Sequence, residues 1–379
     1  MRAEVCEKFG IEFPLFAFSH CRDVVAAVTN AGGLGVLGAV AYTPDRLDEE
    51  LRWIDDHVGG RPYGVDVLVP GKIDKSAATG SGDAMLGAIP DAHWAFVAEL
   101  FARYGLPAPA AGPGGSAQAL AAGAMQVTSA GAADLIDVAL AHPIQLIASA
   151  LGTPPPLMVE KARAVSVPVA ALVGTAEHAR RQLAAGVDLI VAQGTEAGGH
   201  TGEISTMVLV PEVVDAVAPL PVLAAGGIAT GRQMAAALAL GASGVWCGSV
   251  WLTTEEAETA PAVKEKMLAA TSRDTLRSRS RTGKPARQLR SAWTDAWEGP
   301  DSPGTLPMPL QMIIAEPAMR QIDKLAESGH EGARELSNYF VGQCVGLMNT
   351  VKPARQVVYD MVEEFADALE RLNKIAETD

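Results

Sequence analysis

One stretch gathers the residue types from which a proton-handling site is built. A short apolar run ends at Gln193, and Gly194-Thr195-Glu196-Ala197-Gly198-Gly199-His200-Thr201-Gly202 follows. An imidazole titrates near neutrality, so His200 could take up and return a proton under ordinary conditions. Glycine has no Cβ, and the backbone at Gly198 and Gly199 could therefore approach a flat ring closely, with His200 presented at that surface. A single histidine can equally serve packing, and the residues alone leave both roles open. A second signal is a pair of glycine turns, Ala225-Gly226-Gly227-Ile228 ahead of Thr230-Gly231-Arg232, and Cys247-Gly248-Ser249. Backbone N–H groups at such turns, leading into a helix N-terminus, can bind a phosphate without a lysine. Tight turns without a ligand use the same residues.

Other candidates carry less. Asn30-Ala31-Gly32-Gly33-Leu34-Gly35 looks like a nucleotide loop but precedes an apolar run. It reads as a helix stop followed by a tight turn. Glu160, Glu196 and Glu203 form no evident acid/base pair and read as solvated residues. The cysteines Cys6, Cys21, Cys247 and Cys344 are scattered, with no CxxC pair and no Cys/His cluster at zinc spacing, so no metal site is expected. No HExxH, P-loop or GxSxG element occurs. Arg273, Arg277, Arg279, Arg281, Lys284, Arg287 and Arg290 form a basic run in an acidic chain.

The elements that must position these residues repeat. Strand-like runs fall at 14–19, 34–40, 62–69, 144–151, 167–173, 188–193, 221–226 and 244–249, and amphipathic helical stretches follow most of them. Thr43-Pro44-Asp45 and Thr175 with Glu177 have the makings of helix N-termini, and Gly186 of a helix end. Continuous apolar strands joined by helices indicate a parallel sheet covered on both faces. Eight such units predict an α/β fold, a (β/α)₈ barrel over roughly 10–270; an open doubly wound sheet shares the alternation. In a barrel, Gln193 to Gly202 lies at the carboxyl face, and the two glycine turns follow the seventh and eighth strands, where phosphate is usually held. Residues 70–130 interrupt the repeat after the third strand and read as an inserted lid with a helix at 91–104. The division expected is a barrel over 1–270 and a helical subdomain over 271–379 beside the mouth.

Composition sets the outer bounds. In 379 residues, 30 Lys and Arg against 44 Asp and Glu give a net charge of −14, with 49% hydrophobic and 20% charged residues. That is a folded chain, and its acidity argues against nucleic acid or anionic membrane as a partner. The best apolar run, 221–252, is broken by Arg232 and Gln233, and no apolar run reaches the roughly 18 residues of a membrane span. The first residues lack the apolar core of a secretion signal, so a cytoplasmic protein acting on a small molecule is expected, with a homodimer left open.

Together the segments Asn30 to Gly35, Gln193 to Gly202, Pro221 to Ile228 and Gly283-Lys284-Pro285-Ala286-Arg287 resemble the nitronate monooxygenase family, formerly called 2-nitropropane dioxygenases. The resemblance runs through most of the chain and is least over 70–140. It implies a TIM barrel holding non-covalent FMN at its carboxyl face. The family's phosphate positions fall on Gly226, Gly227, Gly248 and Ser249, and its ring-side positions on Gln193, Gly198 and Gly199. Ala17 and Phe18 match the floor beneath the ring, and Asp66 stands where the family usually has a flavin-contacting asparagine. His200 matches the catalytic histidine. The implied reaction is oxidation of an alkyl nitronate with oxygen to a carbonyl compound and nitrite. The alternative is an NAD(P)H-dependent flavin reductase of a quinone or an enoyl thioester of CoA or a carrier protein, with NAD(P)H as co-substrate. Departures bear on the substrate: Phe16-Ala17-Phe18-Ser19-His20 replaces an Ala-Pro-Met strand end, and Val250-Trp251 replaces Arg-Phe after Ser249. His20 is thereby a second candidate proton handler.

Overall fold

The structure, a computed structural model, describes residues 3–40, 42–68, 82–109, 129–150 and 152–377. Eight parallel strands form its centre: β1 (Leu15–Ser19), β2 (Leu34–Gly38), β3 (Gly64–Leu68), β4 (Leu146–Ala150), β5 (Val169–Val173), β6 (Leu189–Gln193), β8 (Val222–Ala225) and β9 (Gly244–Cys247). β1 pairs with β2 on one side, Ala17 opposite Gly35, and with β9 on the other, Ala17 opposite Cys247. That second pairing closes the sheet and decides for the barrel over the open sheet.

Side-chain alternation divides two cores. Phe16, Val36, Ala148, Val191, Leu223 and Trp246 fill the barrel, while Leu15, Leu37, Val65, Ile147, Ile190 and Val245 pack outward under the helices. Both faces are apolar, which is why the strands read as continuous hydrophobic runs. The helix Glu4–Phe9 plugs the amino-terminal end, with Phe9 edge-on to Phe16 at 5.4 Å between ring centroids.

The caps read from the sequence are in place. Thr43 accepts from the Arg46 N–H and Thr175 from the His178 N–H. Asn30 ends the helix Arg22–Asn30 and Gly32 has φ +97°, a left-handed turn into β2 at the amino-terminal face. The Asn30–Gly35 run is thus a helix stop.

The inserted and C-terminal segments meet. The expected helix is Asp91–Arg103, preceded by a short helix Gly82–Gly87; of the predicted lid over 70–130, residues 70–81 and 110–128 lie outside the described residues. Val97, Leu100 and Phe101 share one core with Trp293 and Trp297 of the helix Ala292–Trp297 and with Ile313, Ile314 and Ile322 of the helix Leu310–Glu327. The C-terminal stretch also holds more than helices. It opens with a hairpin, β10 (Thr275–Ser278) and β11 (Ala286–Leu289), that adds a third strand, β7 (Gly199–His200), from the barrel's own loop. Its last helix, Ala354–Ala376, lies on the barrel, placing Val358, Met361 and Phe365 in the outer core.

All four cysteines are buried and free. Among the described residues, no helix is long and apolar enough to cross a membrane.

Phe101 is fully buried at the centre of the shared core. Phe101→Ala should lower stability by about 3–5 kcal/mol in urea unfolding, the range for a buried aromatic truncated to a cavity.

Candidate active site

At the carboxyl end of the barrel the inward positions change from large aliphatic to aromatic, polar and glycine residues. Phe18 caps the interior, stacked beside Trp246 (centroids 6.3 Å, planes 24° apart) and edge-on to His20 (5.1 Å). Ala17 is one residue out of phase, so its methyl group is buried in the outer layer against the helices and only Phe18 contributes a side chain to the mouth. The His20 Nδ1 lies 2.9 Å from the Gly38 carbonyl, and the Tyr42 hydroxyl donates to the His20 carbonyl at 2.6 Å. A Cβ on Gly38 would come within 2.6 Å of that imidazole. Gly38 therefore makes room for His20, a relation no spacing rule exposes.

Asp66 points into the same space from β3 and is almost fully buried. Desolvation pushes its carboxyl up to about 7, opposed by a hydrogen bond from the Ala150 N–H. An ionised Asp66 would put a charge where the family resemblance places a neutral amide. Burial makes it instead a group that is largely neutral below pH 7, able to donate a hydrogen bond as an amide does.

His200 is held by the hairpin. It pairs with Ala286, and Gly199 pairs with Arg287. Gly199 has φ +74°, which favours glycine there. The His200 Nδ1 is 3.3 Å from the Pro285 carbonyl. A carbonyl only accepts, so Nδ1 carries the hydrogen and Nε2 of the neutral ring has the free lone pair. Burial, with Lys284 nearby adding positive charge, lowers the imidazole to about 4, so it is neutral at pH 7. Burial also lowers His20.

The loop carrying His200 is fixed mainly by residues far along the chain. Arg287, buried, donates from Nε to the Thr195 carbonyl (2.9 Å), and Arg277 donates to the Thr201 carbonyl (3.2 Å). Gly342 N–H donates to Ser249 Oγ (2.8 Å) and Gln343 N–H to the Glu196 carbonyl (2.9 Å). A Cβ on Gly198 would sit 2.9 Å from the backbone of Val341 and Gly342. Gly198 thus lets a neighbouring chain segment approach, rather than standing open for a ring. That segment is anchored by Arg281, which bonds Glu316 and Asn338 and lies 5.1 Å from the Phe340 ring. Residues 338–343 are absent from the sequence reading; a glycine inside Phe340-Val341-Gly342-Gln343 is the one local sign of them.

Glu196 is no solvated residue. Its carboxylate accepts from the Thr206 N–H (2.9 Å) and hydroxyl (2.9 Å), capping the helix Thr206–Val217 from a distance. Glu160 and Glu203 are exposed.

Gly226 (φ +107°) and Gly227 (φ +73°) end β8, and Thr230 with Gln233 forms a capping box on the helix Gly231–Ala239. Among the described residues, the N–H groups of Gly226, Gly227, Gly248 and Ser249 donate to no acceptor. A Cβ on Gly248 would meet only Phe18, at 3.8 Å, so space is open there. Ser249 Oγ accepts from the Gly342 N–H and also pairs with the Cys344 thiol. Four N–H donors unpaired among the described residues, at the ends of two adjacent strands, suit a phosphate. Gln193 ends β6, in phase with the inward Leu189 and Val191. Cys21, Asp23 and Glu258 bring possible ligand atoms within 4.8 Å of one another, and the Cys21 thiol donates to the Glu256 carbonyl.

A family model described as nitronate monooxygenase matches residues 3–364. The chain is 61% identical, over 100% of both sequences, to the Mycobacterium tuberculosis protein named "Putative monooxygenase Rv1533". It is 32% identical, over 79% of this chain and 69% of the other, to the (3aS,4S,5R,7aS)-5-hydroxy-7a-methyl-1-oxo-octahydro-1H-indene-4-carboxyl-CoA dehydrogenase of the same organism. The nitroalkane oxidase of Streptomyces ansochromogenes superposes with a TM-score of 0.78 at 26% identity, covering 97% of this chain and 99% of that one. Barrel, site and relatives together define a flavin-dependent oxidoreductase. Within that class, the chain belongs to the nitronate monooxygenase family.

Two predictions follow from the buried titrating groups. Because the folded Asp66 holds its proton up to about 7 while the unfolded residue releases it near 3.9, wild-type stability falls as pH rises between those values. Asp66→Asn removes that loss; its unfolding free energy should match wild type near pH 4 and exceed it at pH 8, by at most about 4 kcal/mol. Lys284→Met removes a cation beside His200, so the acid limb of kcat/KM should move to higher pH.

Proposed function

We propose that the protein binds FMN and oxidises alkyl nitronates with oxygen to a carbonyl compound and nitrite. The observation that carries this reading is His200: a neutral imidazole at the barrel mouth, its Nδ1–H committed to the Pro285 carbonyl and its Nε2 free to take a proton. The residues present fit the flavin. Gly226, Gly227, Gly248 and Ser249 would hold its phosphate with unpaired N–H groups, Phe18 would lie under the ring, and Gln193 with Gly199 would line its side. Bound there, FMN supplies the acceptor for the substrate's electrons.

The chain's own residues supply the rest. Phe18 and Trp246 make the floor apolar, which excludes water and strengthens each hydrogen bond above it. Asp66, neutral below about pH 7, adds no repelling charge when negative charge gathers nearby and can offer a hydrogen bond instead. A nitronate has no hydrogen to donate, so His200 Nε2 acts on its conjugate acid, taking the α-carbon proton of the nitroalkane and becoming imidazolium as the nitronate forms. The Pro285 contact keeps the ring in the tautomer that permits this.

A second reading, an NAD(P)H-dependent reductase of a quinone or an enoyl thioester, is favoured by one observation: Arg277 and Arg279 line a cavity that also touches Pro285. Guanidinium groups suit the phosphates of a dinucleotide or of coenzyme A.

Anaerobic mixing separates the readings. An alkyl nitronate should bleach the visible absorbance of the purified holoprotein; if none does, the nitronate assignment fails. Bleaching by NADH or NADPH instead would select the reductase. His200→Asn should keep its flavin and lose about 10²–10⁴ in turnover, the usual worth of a proton-transfer group. Undiminished turnover would remove the catalytic role of His200.

A further inference from the structure

A cavity of about 320 Å³ opens on the side of the hairpin, lined among others by Arg277, Arg279, Pro285, Trp297 and Glu298. It lies near the small end of the roughly 300–1,000 Å³ range of ligand sites, so it suits one end of a molecule. Its lining is rich in donors. Arg279 is exposed and makes no ion pair among the described residues. Arg277 spends its Nη2 on the Thr201 carbonyl and stands 3.8 Å from the exposed Glu203, yet its Nε–H is buried without an acceptor. The Trp297 indole N–H is likewise buried and unpaired. The one carboxylate, Glu298, accepts from the Ser278 hydroxyl at 2.6 Å.

Two guanidinium groups, beside one carboxylate that already accepts from Ser278, call for a ligand that offers several acceptor oxygens and negative charge. A phosphate or pyrophosphate meets that need. The cavity also adjoins the catalytic imidazole: Pro285 lines it and accepts from His200, and Arg277 lines it and holds Thr201, the next residue. A molecule anchored here by one end would have His200 as its near neighbour.

We propose that this cavity is a subsite for the phosphorylated end of an extended substrate or reductant, with Arg279 as its exposed clamp and Arg277 as the link to the His200 loop. Its role as a tail subsite rests on the flavin oxidoreductase reading, whereas the binding of phosphate does not. Two sources share this chemistry, the adenosine diphosphate moiety of a nicotinamide dinucleotide and that of coenzyme A, and they differ in where a further phosphate sits.

Calorimetric titration of the holoprotein tests this, with pyrophosphate, ADP, adenosine bisphosphates phosphorylated additionally on O2′ or on O3′, and unphosphorylated adenosine. At least one phosphorylated probe should bind with Kd below about 1 mM, adenosine should bind more weakly, and added salt should weaken binding. Preference for the O2′ or O3′ phosphate would point to NADPH or coenzyme A. Arg279→Gln, at an exposed position, should weaken the preferred probe at least about tenfold, with flavin content unchanged. Failure of every phosphorylated probe to bind, or affinity unmoved in both Arg279→Gln and Arg277→Met, would overturn the proposal. Phosphate binding without bound flavin would retain the subsite and discard the redox reading. Flavin bleaching by a nitronate without phosphate binding would do the reverse.

Discussion

Everything at the barrel mouth depends on a two-residue strand. Gly199 and His200 pair antiparallel with Arg287 and Ala286, so the freedom of a glycine-rich loop is replaced by a fixed edge. Without that pairing, residues 194–202 would be a surface loop, with His200 in water and free to rotate. With it, the imidazole is half-buried, its Nδ1 faces a carbonyl and its Nε2 keeps the free lone pair. Arg287 donates to Thr195 and Arg277 to Thr201, gripping the loop at both ends of the segment that carries the histidine. A barrel strand end is thereby completed by a hairpin from the last third of the chain.

Desolvation then sets the protonation states. His200 and His20 are held below the ordinary imidazole range, and Asp66 is held above the ordinary carboxyl range. In each case the neutral form gains, because little water remains to solvate an ion. The mouth therefore contains proton acceptors and a latent proton donor with little formal charge, beside unpaired N–H groups suited to an anion. The cationic groups lie along the hairpin, where Arg277 and Arg279 line a separate cavity. Neutral groups therefore stand at the centre of the mouth, and positive charge stands along the hairpin beside it.

Much of the fold was legible. The strand runs are recognisable because both faces of each strand are buried, and Thr43, Thr175 and Gly32 mark helix ends by local chemistry. The positions of Gly226, Gly227, Gly248 and Ser249 were equally legible, since a glycine turn after a strand is a short-range signal. Other parts were not. Ala17 and Phe18 are neighbours in sequence, yet the pleat sends one to the outer core and the other into the mouth. Gly198 has a glycine's freedom, but that space is taken by Val341 and Gly342 from across the molecule. Glu196 looks like a loop carboxylate and is a cap for the helix ten residues on.

The order of residues by itself determined the strand–helix repeat and its glycine turns, because periodicity, capping and turn chemistry act over a few positions. Tertiary structure alone decided that the sheet closes through β1 and β9, that Gly38 makes room for His20, and that the inserted helix and the C-terminal helices share a core. It also decided which groups are charged. A pKa follows from the water and dipoles around a group, and at Asp66 and His200 burial sets both, with contacts from Ala150 to the first and from Pro285 and Lys284 to the second that only folding brings together.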